Sequence, residues 1–120
     1  MTRIATALAL TLAACATSPQ SPDAPRDVTA LALAPYASHE ECRPLAPGDR
    51  LDYRFTSTAP VAFNIHYSEG NAVVSPITRE AVTADSGIYQ PLEAHRYCLY
   101  WEAGAEAASL DYHLAVRHAP

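Results

Sequence analysis

Apolar and polar residues alternate with a period of two through most of the second half of this chain. In LDYRFTS, Leu51, Tyr53 and Phe55 share one side while Asp52, Arg54 and Thr56 share the other. VAFNIHY repeats the pattern more cleanly, with Val61, Phe63, Ile65 and Tyr67 opposed by Ala62, Asn64 and His66. That periodicity predicts half-buried β-strands, because successive side chains of a strand point to opposite faces of its sheet. Thr58-Ala59-Pro60 separates the two runs, and Ser68-Glu69-Gly70-Asn71 reads as a hairpin loop leading into AVVSPIT. Pro76 inside that segment points to an edge strand or a break. Shorter apolar pieces at 81–83 and 88–92 flank Asp85-Ser86-Gly87.

From His95 to Trp101 both faces are apolar: Tyr97, Leu99 and Trp101 alternate with Cys98 and Tyr100. A strand covered on both sides has this composition. The last segment fits two periods. Leu110, Tyr112, Leu114 and Val116 suit a strand, whereas Ala103, Ala107, Leu110 and Leu114 suit a helix. Gly104 and the aromatic content favour a strand returning as a hairpin. About seven short strands separated by turns predict an all-β fold, a small antiparallel β-sandwich.

The first residues follow a different pattern. Arg3 precedes an apolar run from Ile4 to Ala13, too short to span a bilayer and built like a secretory signal. Leu12-Ala13-Ala14-Cys15 closes it and resembles the bacterial lipobox, in which the cysteine is acylated and becomes the first mature residue. The resemblance implies a signal peptide over 1–14 and a lipid anchor on Cys15. Ala16 stands where inner-membrane retention signals usually carry aspartate, which implies an outer-membrane address facing the periplasm. Thr17 to Asp27 is rich in Pro and Ser without apolar period, so 15–38 is expected to hold the lipidated cysteine and a flexible tether, with 39–120 as the sandwich. Within the tether, VTALALAPY alternates Leu31 and Leu33 and is a candidate first edge strand.

Of three cysteines, Cys15 takes lipid, leaving Cys42 and Cys98 for a disulfide in an oxidising compartment. Closing a loop over most of the folded unit would contribute about 4 kcal/mol by chain entropy. Metal binding by the two thiols is the alternative, but neither has a second ligand close by in sequence.

Glu41-Cys42, the strands LDYRFTS and VAFNIHYSEG, the aromatic-Cys-aromatic stretch GIYQPLEAHRYCLYWEAG, and SLDYHLAV together resemble the GOLD domain of the p24 cargo-receptor family. In that family an early Glu-Cys is bridged to a late cysteine between aromatics, and the sandwich is a non-catalytic interaction module. The resemblance implies a GOLD-like fold and a binding role. No coiled coil or membrane-spanning helix follows it here, so cargo sorting does not carry over.

Charge and residue usage narrow the chemistry. Thirteen acidic against eight basic residues argue against a nucleic-acid partner. The absence of lysine excludes a Walker loop, a Schiff base and a Ser-x-x-Lys nucleophile. No G-x-S-x-G frames a serine, and the Glu40-Glu41 pair reads as a solvated flank, so no enzyme and no cofactor are expected. His39, His66, His95, His113 and His118 form no metal-spaced pair, and the only methionine is Met1. His66, among small and polar face neighbours, is the best histidine for a metal-binding alternative. The leading expectation is a lipid-anchored module that binds an envelope protein or peptide. Tyr97, Leu99 and Trp101 are its candidate docking face if the disulfide side points inward, and core residues if it does not. A small inhibitor of an envelope hydrolase is a further alternative.

Overall fold

The computed structural model describes residues 24–120; the expected signal segment, the expected lipid site at Cys15 and the expected tether up to residue 23 lie outside the described residues. Six strands follow: β1 Arg26–Leu33, β2 Ser38–Leu45, β3 Arg50–Glu69, β4 Ala72–Tyr89, β5 His95–Ala103 and β6 Ala108–Arg117. Every pairing is antiparallel, in the order β1-β6-β3-β5-β2, with β4 along β3.

β3 explains how one sheet makes two layers. Its first half, Arg50 to Ser57, pairs with β6; its second half, Val61 to His66, pairs with β5. Between them the register against β4 slips from Thr56 to Val61, where β3 carries more residues than its partner. A local excess of that kind bends a strand. Ser57 Oγ donates to the Ala59 carbonyl at 2.7 Å, and the Ser109 N–H donates to Thr58 Oγ1 at 2.8 Å, holding the bend. One layer thus consists of β1, β6 and the start of β3; the other of β2, β5 and the end of β3. β4 follows β3 through both. Odd positions of β3 stay inward across the bend, from Leu51 to Ile65. Tyr53, Phe55 and Tyr112 of the first layer pack on Phe63 and Trp101 of the second, at ring separations of 4.6 to 5.9 Å.

The all-β, disulfide-linked architecture is the expected one, with six strands in place of about seven. LDYRFTS and VAFNIHY are one 20-residue strand, because Thr58-Ala59-Pro60 bends the chain without ending its pairing. The pieces at 81–83 and 88–92 largely merge into the 18-residue β4, with Asp85-Ser86-Gly87 inside it. Pro76 is tolerated there since β4 pairs on one side only. Gly87 sits opposite Tyr53, whose ring crosses it so closely that a Cβ would lie 3.0 Å from the hydroxyl. The hairpin tip is Gly70-Asn71, with Gly70 at φ 60°. The final segment is strand β6, not helix.

The expected tether needs correction at its distal end. Residues 26–33 form β1, the edge strand that VTALALAPY suggested, paired with β6. Its bulge at Ala30 is held by the Ala30 N–H donating to Asp111 Oδ1 at 2.7 Å. The domain therefore starts before residue 39. β2 is likewise a full strand, because its eight residues pair continuously with β5.

Candidate functional site

Each layer presents an outward face whose residues are brought into line by cross-strand register. On the first layer the row runs Asp27, His113, Arg54, Ser86 across β1, β6, β3 and β4. His113 Nδ1 lies 2.7 Å from Asp27 Oδ1. Arg54, at the centre, is exposed and has no hydrogen-bond or ion-pair partner among the described residues. Two shallow hollows of about 180 and 350 Å³ meet at Arg54 and His113. Asp27, Thr29, Thr56 and Asp111 rim one; Asp52, Ser86 and the exposed Ile88 rim the other. An unpaired guanidinium between two shallow hollows suits a carboxylate from a partner, to which it offers paired N–H donors.

On the second layer the row is His66, Cys98, Cys42 across β3, β5 and β2. Cys42 and Cys98 are joined as a disulfide. Since this side faces outward, Tyr97, Leu99 and Trp101 face inward and are 1%, 0% and 0% exposed. They do not form a docking face. β5 is an interior strand of its layer, and its Trp101 side is covered by the opposing layer, where the indole stacks on Tyr112 at 4.6 Å; His39, its cross-strand neighbour on β2, stacks on it at 6.0 Å.

The free edges of the two layers meet at a seam of charge that the sequence concealed. Glu41 was expected on a solvated flank, yet its side chain is only 13% exposed. Its carboxylate accepts from Tyr112 Oη at 2.7 Å and from Arg43 at 3.1 Å, and also pairs with Arg26 of β1. His39 Nε2 lies 2.9 Å from the same tyrosine oxygen. Burial alone would raise the Glu41 pKa, but the Tyr112 and Arg43 hydrogen bonds and the two arginine charges outweigh it and hold the group below its ordinary value. Burial also pushes Tyr112 up to about 12, assisted by the Glu41 charge and opposed by Arg26.

These directions set a pH dependence. Glu41 contributes stability above the pKa of an unfolded glutamate and loses it as pH falls. Tyr112 keeps its proton in the fold after unfolded tyrosines, near 10.0, have lost theirs. Stability is therefore expected to decline as pH rises from 10.0 towards about 12. Burial raises Tyr53 and Tyr89 in the same direction. The tyrosinate absorbance of these buried tyrosines should appear together with loss of the β-sheet circular dichroism. Full ionisation near 10.0 with the sheet intact would contradict the arrangement.

The histidines do not gather into a metal centre. His39 partners Tyr112, His66 partners Asn64, His95 partners Glu93, His113 partners Asp27 and His118 partners Asp49. A metal site built from His66 with other histidines is thus not what the fold assembles among the described residues. The buried Asp49 is a latch for the chain end. It accepts from the Ala46 N–H at 2.8 Å and the Ala119 N–H at 2.9 Å, and those backbone bonds lower its pKa.

Sequence alternation alone places Arg54 and His113 on outward faces. That they are neighbours follows from β3 pairing with β6, across a separation no local pattern encodes.

A disulfide-linked, curled antiparallel sandwich with polar outer faces is the class these features define. No protein-family profile matches the chain, and no curated protein does. Among solved structures its fold is similar to that of Aeromonas hydrophila PliG, a periplasmic lysozyme inhibitor of g-type lysozyme. The TM-score is 0.56 at 10% identity, covering 78% of this chain and 86% of that one.

Proposed function

We propose that this chain is an exported, non-catalytic lipoprotein whose sandwich binds and inhibits a cell-wall glycoside hydrolase in the periplasm. The observation that carries the reading is the fold shared with a periplasmic lysozyme inhibitor over most of both chains. The N-terminal signal, with Cys15 as lipid attachment site, supplies the address: a tether to the outer membrane on its periplasmic side. The GOLD-like resemblance, resting on Glu41-Cys42 bridged to Cys98 between Tyr97 and Tyr100, agrees with a binding role. At 10% identity the enzyme class is this chain's own matter.

The first-layer row offers a chemical reason for inhibition. Glycoside hydrolases work with a pair of carboxyl groups flanking the scissile bond. Arg54, uncommitted within the described residues and set between hollows, provides the cation such a cleft attracts. His113, held by Asp27, and Ser86 extend the same row with further hydrogen-bonding groups.

The test is a turbidity assay of peptidoglycan lysis, run with g-type, c-type and bacterial lytic enzymes against the purified full-length protein. At least one enzyme is expected to be inhibited at near-stoichiometric concentration. Arg54→Glu should weaken that inhibition by about 30-fold or more, as loss of a close interfacial charge pair costs about 2–5 kcal/mol. Because Arg54 is exposed, the thermal midpoint should stay unchanged. Full activity of every lytic enzyme in the presence of excess protein would sink the reading.

A further inference from the structure

The second-layer row holds a set of side chains that the inhibitor reading does not use. Cys42 and Cys98 face each other across β2 and β5, and His66 follows Cys98 in line on β3. Glu40, two residues before Cys42 on the same face, brings a carboxylate oxygen within 4.8 Å of both sulfurs. His66 Nε2 lies 3.6 Å from Glu40 Oε1. Two such donors on one tetrahedral zinc ion stand about 3.4 Å apart, given bonds of about 2.1 Å. His66 Nδ1 lies 2.7 Å from Asn64 Oδ1, which fixes the orientation of the ring. Nε2 is thereby set on the Glu40 side, the ring being oriented by the kind of outer contact a metal-binding histidine ordinarily makes. A hollow of about 190 Å³, lined by Glu40, His66, Ser68, Arg96 and Cys98, opens over the group.

We infer that reduction of the Cys42–Cys98 bond turns this row into a zinc site with Cys42, Cys98 and Glu40 as ligands and His66, which stands beside Glu40 outside that close cluster, moving in as the fourth. In the oxidised protein both sulfurs are spent on each other, so the site exists only after exchange with a dithiol. The dithiol gives up two electrons and becomes a disulfide, while the protein bond breaks to two thiols. Zinc then binds the thiolates and releases their protons to water. The β2–β5 ladder runs from Ser38↔Glu102 to Leu45↔His95 and keeps the freed sulfurs facing each other. Thiolates and carboxylate outweigh the Arg96 guanidinium on the rim, and a dication balances the excess. The ion replaces one cross-link by another, joining β2, β5 and β3 where the disulfide joins only β2 and β5. This site lies on the other layer from Arg54, so its fate and that of the inhibitor reading are decided separately.

The full-length protein, reduced anaerobically with a water-soluble phosphine, is titrated with Co²⁺ and then Zn²⁺. One ion per chain is expected, with thiolate-to-cobalt charge transfer and the intense visible bands of a tetrahedral centre. Competition with a chromophoric chelator should show at least a tenfold loss of affinity in His66→Ala and in Glu40→Gln. Asn64→Ala should lose about tenfold through misorientation of the ring. The oxidised protein should bind no metal at these concentrations. Loss of β-sheet circular dichroism on reduction, or metal binding indifferent to His66 and Glu40, overturns the assignment.

Discussion

Replacing Trp101 by alanine is expected to destabilise the domain by about 3–5 kcal/mol, the usual range for removing a large aromatic from a core. For a domain of this size that lowers the thermal midpoint by tens of degrees. The indole is fully buried, stacks on Tyr112, meets Phe55 edge-on and lies against Phe63. Truncation leaves a void bounded by both layers, and strands paired along their length cannot collapse into it. Phenylalanine at the same position should cost far less, and for a specific reason. The Trp101 Nε1–H is buried without an acceptor among the described residues, so its removal abolishes an unmet desolvation penalty. Urea unfolding of the two variants checks both statements. A midpoint barely moved in Trp101→Ala would mean the ring lies outside the core.

Loss of the disulfide is expected to have a comparable effect. Cys42 and Cys98 are 56 residues apart in sequence, and chain-entropy reasoning assigns such a cross-link about 4 kcal/mol. Domains are commonly stable by only about 5–15 kcal/mol. The double variant Cys42→Ala/Cys98→Ala should therefore remain folded at low temperature with a sharply lower urea midpoint. The loss should be uneven in space. β2 is an edge strand paired with β5 alone, and it carries Glu41 to the seam. Amide exchange should accelerate first in Ser38–Leu45, and Arg26 should lose its hold on the opposite edge. The hydrolase inhibition proposed for Arg54 should survive, since that residue belongs to the other layer. Unaltered exchange in β2 would show that the ladder needs no cross-link.

How much of this was readable before the fold depends on the range over which each feature is determined. Alternation in LDYRFTS and VAFNIHY identified the inward residues of β3, because that pattern is a property of consecutive positions. It did not show that the two runs are one strand. Thr58-Ala59-Pro60 has the composition of a break, and only hydrogen bonds from Ser109 and pairing with β4 make it a bend. Glu41 looked solvated because its neighbours in sequence are polar. It is shielded by Arg26 and Tyr112, which come from distant strands.

Trp101 shows the same limit from the opposite side. Its strand is apolar on both faces, so composition left open which face turns inward. The curling of the sheet answered that by setting Phe55 and Tyr112 against the indole and turning the disulfide outward. By itself, then, the sequence determined an all-β chain with period-two strands and a pair of cysteines to join. These are local or compositional properties, and they survive in any arrangement of the strands. The tertiary structure alone decided which residues stand beside one another across the strands: Arg54 beside His113, His66 beside Cys98, and Glu41 against Arg26. Register and curvature are collective outcomes of packing two layers around one core, and no single segment carries the information that specifies them.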